Sequence, residues 1–427
     1  MADSLDTNLP PLYRTVHIMD ALPAETSPPP LPVYDAIVVE ESTRRRATPP
    51  PLPPIVGPRV GLIRRTVRRT ASVLGWLFGA ASLIVGLAVL AALPLLQFIS
   101  LGYLLEAGAR VARSGRLRDG FIGVRLAARL GSVVLGSWLL LWPVRFVAGL
   151  ARAAQVIDPD GEIARRWRGG LLLLIGLTAL HIGSACARGG RLRYFVWPFN
   201  VFWLLRRLFR GGYLAEARDK VWDVTMSLRL PYYFWLGLRG FIGAMAWLVV
   251  PVSLLALGRG SAPLAPLVGV LGALLLAMVL LYLPFLQLRL AEVNRLPAVF
   301  DLRAVRRDYV RAPWAFCLAF VVTLLSSLPL YLLKIEMVPR DAAWLPALVF
   351  IVFIFPARLM TGWAISRAHR REVPRHWFFR WTGRLPLLPA VAFYVLVVYF
   401  TQFTSWNGIW SLYEQHAFTL PVPFFGM

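Results

Sequence analysis

Cysteines and carboxylates are scarce in this chain, and the usual signatures of catalysis are missing. The only two cysteines, Cys186 and Cys317, both fall in apolar stretches, so neither a disulfide framework nor a zinc site is suggested. They read as small buried hydrophobes. No GxSxG elbow, HExxH pair, Walker phosphate loop or CxxC pair occurs, so the reading is non-enzymatic, with no cofactor. The one tight acidic group, Asp158, Asp160 and Glu162 in the string DPDGE, reads as a turn rather than a cation site. No charged segment and short apolar core precede a small-residue cleavage site, so the first apolar run is expected to act as the insertion signal. Lysine is almost absent, at 2 against 44 arginines. That imbalance points to a GC-rich bacterial genome rather than to guanidinium chemistry.

Apolar residues are abundant instead, at 58% of the chain with a mean hydropathy of +0.61, above the ~45 to 50% usual for soluble domains. A helix of ~20 apolar residues crosses the ~30 Å of bilayer hydrocarbon. Eight such stretches are predicted at 72–98, 130–150, 169–187, 235–257, 263–288, 314–333, 343–365 and 386–406. The connections after the odd-numbered spans hold 27 Lys and Arg, whereas those after the even-numbered spans hold 7, so the first set is expected to be cytoplasmic. This predicts a multi-pass protein of the inner (plasma) membrane. With a net charge of +24 and a pI near 11.3, a soluble chain would suggest nucleic acid. Here the cations flank membrane segments, so anionic headgroups are the expected partner, at ~1 kcal/mol per residue near the surface.

Residues 1–58 are a different kind of chain. Thirteen prolines and two copies of PPPLP, at 28–32 and 49–53, predict a disordered, locally polyproline II tail. An even number of spans would put this tail outside, yet it ends in Arg59, Arg64, Arg65, Arg68 and Arg69, a cluster that normally stays cytoplasmic. The run from Val73 to Leu105 contains Pro94 and is longer than one crossing needs, so it either crosses once or bends back as a hairpin.

Internal repetition divides the membrane part. LPLLQ at 93–97 matches LPFLQ at 283–287, a spacing of 190 residues, and RYFVW at 193–197 falls near the equivalent of RHWFFRW at 375–381. The expected architecture is all-α: a tail over 1–70, four helices in 71–260, four more in 261–412, and a short tail over 413–427. At the basic exits, GYLLEAGAR, GYLAEARDK and QLRLAEVNR place Glu106, Glu216 and Glu292 within a helical turn of Arg110, Lys220 and Arg289 or Arg295. Ion pairing on helices lying along the interface accounts for these glutamates, with a bound cation or headgroup as the functional alternative. Four ionisable groups lie inside spans: Arg145, His181, Arg239 and Arg358. The arginines are expected to snorkel to an interface. His181, with no acid in the spans to pair with, is expected to bond a backbone carbonyl or a hydroxyl.

GYLLEAGARVARSGRLRDGF at 102–121 and LPFLQLRLAEVNRLPAVFD at 283–301 resemble multi-pass bacterial membrane proteins of the domain-of-unknown-function kind, in which an apolar helix leads into a GYL-type segment and a basic, glycine-containing loop. The resemblance covers about a quarter of the chain. It implies a polytopic inner-membrane protein and brings no catalytic residue. The functional reading is a membrane scaffold or assembly component. Its basic, aromatic cytoplasmic face, with Tyr194, Trp197, Trp203, Trp377, Phe378, Phe379 and Trp381, would grip anionic lipid or a protein partner. The alternative is a transporter with a site between the halves, for which Pro94, Pro284 and Pro356 and the polar Gln97, His181, Gln287 and Asn294 are the pointers.

Overall fold

The computed structural model describes residues 62–159, 161–332, 344–405 and 408–413. The expected proline-rich tail lies outside them up to residue 61, as do Asp160 and the chain from 414 onward. Among the described residues there is no strand. The helices are α1 (Leu62–Ala92), α2 (Gln97–Ser114), α3 (Val124–Ile157), α4 (Glu162–Ala187), α5 (Leu192–Val196), α6 (Asn200–Phe209), α7 (Tyr213–Ser227) and α8 (Leu230–Leu257). Then come α9 (Ala265–Val293), α10 (Leu302–Arg311), α11 (Pro313–Leu332), α12 (Leu345–His369), α13 (Trp377–Thr382) and α14 (Leu387–Thr404). Eight of the described helical segments are long and apolar enough to cross a membrane, and their positions follow the eight predicted spans. The chain is a multi-pass membrane protein.

Local chemistry sets the helix ends. Proline occupies the first turn of α8, α9 and α12, where its missing N–H costs nothing. Gly115, at φ 72°, closes α2 by donating its N–H to Val111 at 2.7 Å, and Asn294, at φ 58°, closes α9 by donating to Leu290 at 2.7 Å. Both take the left-handed conformation that ends helices. The basic stretch expected to belong to the tail is partly helical, because α1 starts at Leu62 and arginine is a good helix former.

The first apolar run is not one continuous helix but a helical hairpin. It breaks over Leu93–Leu96, where Leu95 adopts φ 67° and Pro94 supplies no donor. Ser100 on α2 then donates its hydroxyl to the carbonyl of Leu87 on α1 at 2.7 Å. Thirteen residues of straight helix would separate these groups by about 20 Å, so the chain has turned back. A second observation agrees. Gly79 of α1 lies against Val124 and Ala128 of α3, and Gly131 of α3 against Ser82 of α1, so α1 and α3 run in the same direction. The chain between them must return, and α2 returns it. α1 therefore begins at the end of the bundle where α2 ends and α3 begins, the end that carries the basic connections.

α2 is also the centre of the bundle rather than an interfacial helix. Its segment Ile99–Ala112 is buried at every position except Arg110, enclosed by α1, α8, α9 and α12. Glycines make that approach possible. A Cβ on Gly102 would stand 1.8 Å from the Tyr233 carbonyl oxygen of α8, and one on Gly237 would stand 1.9 Å from that of Phe98. The same holds across α2 and α12, where a Cβ on Gly362 would meet the Gly108 carbonyl at 2.2 Å. Small residues at such crossings let backbones touch, which is how helices gain dispersion energy where lipid is as apolar as their own side chains.

Candidate functional site

The polar groups of the bundle fall into two kinds of place: buried pairs that join helices, and arginine-lined hollows at the basic end. Glu106 belongs to the first kind. Its side chain is buried on α2, where Oε1 accepts from Arg110 Nε at 3.2 Å and from Arg113 Nη2 at 2.8 Å, and Oε2 accepts from the Tyr232 hydroxyl of α8 at 2.9 Å. The expected pairing with Arg110 is present, but on a buried helix rather than one lying along the surface. Glu216 on α7 follows the expectation more closely. It is open to solvent and held by Lys220 at 2.6 Å and by Arg207 at 2.6 Å. Glu292 pairs with Arg289, at 3.5 Å, and not with Arg295. Nearby, His369 of α12 lies 3.7 Å from Asp308 of α10. Among the described residues no group of three His, Cys, Asp or Glu is placed to hold a metal.

The intramembrane ionisable groups divide differently from the expectation. Arg145 is exposed on α3. Arg239 reaches the carbonyl of Asn294 at 2.9 Å, at the end of α9. His181 bonds the carbonyl of Phe195 through Nε2 at 3.0 Å. Arg358 does not snorkel. It is 2% exposed near the middle of α12, 11 residues from that helix's last residue, about 16 Å along the axis. Its Nη2 donates to Gln287 Oε1 of α9 at 2.6 Å, and Gln287 Nε2 in turn reaches the Gly240 carbonyl of α8 at 3.4 Å. Nε and Nη1 of Arg358 have no hydrogen-bond partner among the described residues. Sequence position alone misplaced it, because tertiary packing on three sides closes the route to the interface.

The two proline-repeat strings take different structures. Pro94 lies in the turn between α1 and α2, whereas Pro284 is buried inside continuous α9. Their glutamines part accordingly. Gln287 binds Arg358, while the Oε1 of Gln97 is buried without a hydrogen bond. His181, Gln97, Gln287 and Asn294 sit on separate helix contacts, and none of them lines the cavities described next.

Three hollows open at the basic end. The first, about 300 Å³, is enclosed by Ala312, Pro313, Trp314 and Ala315 at the start of α11, Trp363 and Arg367 near the end of α12, and Arg371, Arg375 and Phe379 beyond it. The second, about 690 Å³, lies between residues 72–76 of α1 and the start of α3 and includes Trp76, Phe121, Arg125, Arg129 and Arg191. The third, also about 690 Å³, runs between α9, α10, α11 and α14 and includes Tyr282, Arg306, Tyr309, Trp381 and Arg384. Each combines arginines with aromatic rings, and no carboxylate lines any of them. The short α13 separates the first from the third, offering Phe379 to one and Trp381 to the other.

The rings orient the cations. Arg367 stacks on Trp363 at 5.2 Å, Arg375 on Phe379 at 5.5 Å, and Arg384 stands 5.6 Å from the Tyr309 ring and 5.7 Å from that of Trp381. A guanidinium over a ring face gains electrostatic attraction and keeps its N–H edge free. The patch around α5 and α6 repeats the theme. Arg188 lies 4.8 Å from the Tyr194 ring and 5.8 Å from that of Trp203 while donating to Asn200 at 3.0 Å. Arg193 donates to the Tyr194 hydroxyl at 2.8 Å and holds that phenol below its ordinary pKa. At Tyr309 burial dominates and pushes the phenol up to about 12.

No protein-family model matches the chain, and comparisons with curated proteins and with solved structures give no match either.

Proposed function

We propose that this protein is a non-enzymatic component of the plasma membrane, of the scaffold or assembly type, whose basic end faces the cytoplasm and holds anionic lipid headgroups. The observation that carries this reading is the set of three hollows at one end of the bundle, each built from arginine and aromatic rings without a carboxylate. Such a lining attracts a negative charge on a group that is apolar beyond its head. The orientation rests on the excess of Lys and Arg in the connections at that end. Because α1 and α2 form a hairpin, the arginines at the start of α1 join the same side, and the charge conflict at the N-terminal tail disappears. The resemblance to multi-pass bacterial membrane proteins agrees with this placement.

Transport finds less support. A permeation site needs polar groups converging on a shared, hydrated cavity, whereas Gln97, His181, Gln287 and Asn294 are dispersed over different helix contacts. The test is co-purification. The full chain, extracted from nanodiscs of phosphatidylcholine with one-fifth phosphatidylglycerol, is expected to retain the anionic lipid above its bulk share, and to lose it as salt rises. Retention at the bulk ratio, unaffected by salt, would refute the reading. Single cysteines at Ser72 and Ser114, probed in whole cells with an impermeant maleimide, check the orientation: both are expected to be protected, and labelling of either from outside would reverse it.

A further inference from the structure

The 300 Å³ hollow between α11 and α12 differs from the other two in how its charge is disposed. Arg367 lies on the last turn of α12 and Arg371 just past its end, and Arg375 follows after the chain has turned, with its backbone N–H donated to the Val310 carbonyl at 3.0 Å. That bond seats the third cation beside the start of α11. None of the three arginines makes an ion pair among the described residues. Three cations thus border one small space with no counter-charge in its lining. A volume of 300 Å³ is at the lower limit of small-molecule sites, so the space suits a headgroup rather than a whole solute.

The remainder of the wall leads into the bilayer. Trp314, Leu318 and Leu325 are exposed on α11, and their spacing of four and then seven residues keeps them on one helix face. An apolar stripe therefore descends from the mouth of the cavity. A free anion has no use for such a stripe; an acyl chain does.

We infer that this hollow is a binding site for a lipid ending in a phosphate monoester, with the phosphate held by Arg367, Arg371 and Arg375 and an acyl chain along Trp314, Leu318 and Leu325. The charge selects the headgroup class. A phosphate monoester carries about −1.5 to −2 at neutral pH and three strong acceptor oxygens, which three guanidiniums can satisfy together. A phosphodiester headgroup carries a single charge and fewer free oxygens, and leaves the third arginine underused. The inference rests on the reading of the basic end as an anionic-lipid surface and names the lipid that one of its sites prefers.

Native mass spectrometry of the full chain in detergent tests it, with dioleoyl phosphatidic acid, phosphatidylglycerol and phosphatidylcholine added in turn. Phosphatidic acid is expected to bind at one site per chain roughly tenfold more tightly than phosphatidylglycerol, the gain from one further charge-assisted bond. Replacing Arg367, Arg371 and Arg375 together by Gln is expected to abolish that preference. The equivalent triple change of Arg193, Arg206 and Arg210, at the α5–α6 patch, is expected to leave it intact. If the first triple variant does not fold, Arg371→Gln alone is expected to reduce the preference several-fold. Equal binding of both anionic lipids, or equal loss in both triple variants, would overturn the specific site while leaving the general anionic surface standing. Binding of all three lipids alike would defeat that surface reading as well. Displacement of the bound phosphatidic acid by millimolar inorganic phosphate would assign the cavity to a free anion and overturn the lipid site.

Discussion

Arg358 and Gln287 offer the sharpest energetic test of the bundle. A cation at mid-membrane costs at least ~2.5 to 3.5 kcal/mol on insertion scales, and burial at 2% exposure leaves Arg358 no water to recover it. Its charged hydrogen bond to Gln287 returns ~1.5 to 3 kcal/mol, while Nε and Nη1 stay without partners. Arg358→Met, which removes the charge and keeps the length but takes from Gln287 Oε1 its bond to α12, is therefore expected to shift stability by no more than about 2 kcal/mol. Gln287→Leu in the parent orphans the guanidinium and is expected to cost about 3 to 5 kcal/mol. In the double variant the second change no longer strands a guanidinium, although it still removes the contact of Gln287 with the Gly240 carbonyl, so the two effects must fail to add. The assay is reversible unfolding of the full chain from mixed micelles with increasing dodecyl sulfate, followed by helical circular dichroism. Additivity within about 0.5 kcal/mol would mean the two side chains are not coupled, and the assignment of the buried bond would be wrong.

Other outcomes follow from particular contacts. Gly102→Ala places a Cβ against the Tyr233 carbonyl, and Gly237→Ala places one against that of Phe98. Each is expected to cost about 1 to 3 kcal/mol or more in the same unfolding assay, whereas Gly176→Ala, with open space around it, should be neutral or slightly stabilising. Glu106→Gln weakens a buried carboxylate with three donors, Glu216→Gln an exposed one with two. The first is expected to lose about 2 to 4 kcal/mol and the second distinctly less, because water screens its ion pairs; equal losses would contradict the burial of α2. Tyr309 has its folded pKa raised from 10.0 to about 12, so the unfolded chain ionises first and stability should fall as pH rises from 10 toward 12. Tyr309→Phe is expected to flatten that part of the stability–pH profile, and an unchanged slope would rule out its contribution.

The membrane class, the eight spans and the basic connections were all legible from the order of residues, because a lipid solvent imposes a length and composition on each helix. The i and i+4 partners of Glu106 and Glu216 were legible for the same local reason: helical spacing alone brings them together. What α2 does was not. Its residues read as an amphipathic exit helix, and only the break at Pro94 and Leu95, with the glycine crossings to α8 and α12, draws it into the core. The matching strings around Pro94 and Pro284 likewise adopt a turn and a continuous helix, since neighbours rather than local sequence decide whether a proline ends a helix in a bundle. Arg358 illustrates the same limit, as its place within a span is visible in the sequence but its enclosure by α9 is not. The cavity bordered by Arg367, Arg371 and Arg375 depends on tertiary structure altogether. Trp314 and Arg375 are 61 positions apart, and they share a wall because α11 and α12 pack side by side with the chain folded back beneath them. Solvent chemistry acts on each segment in turn and so is written along the chain, whereas a cavity is a relation between segments and exists only once they have packed.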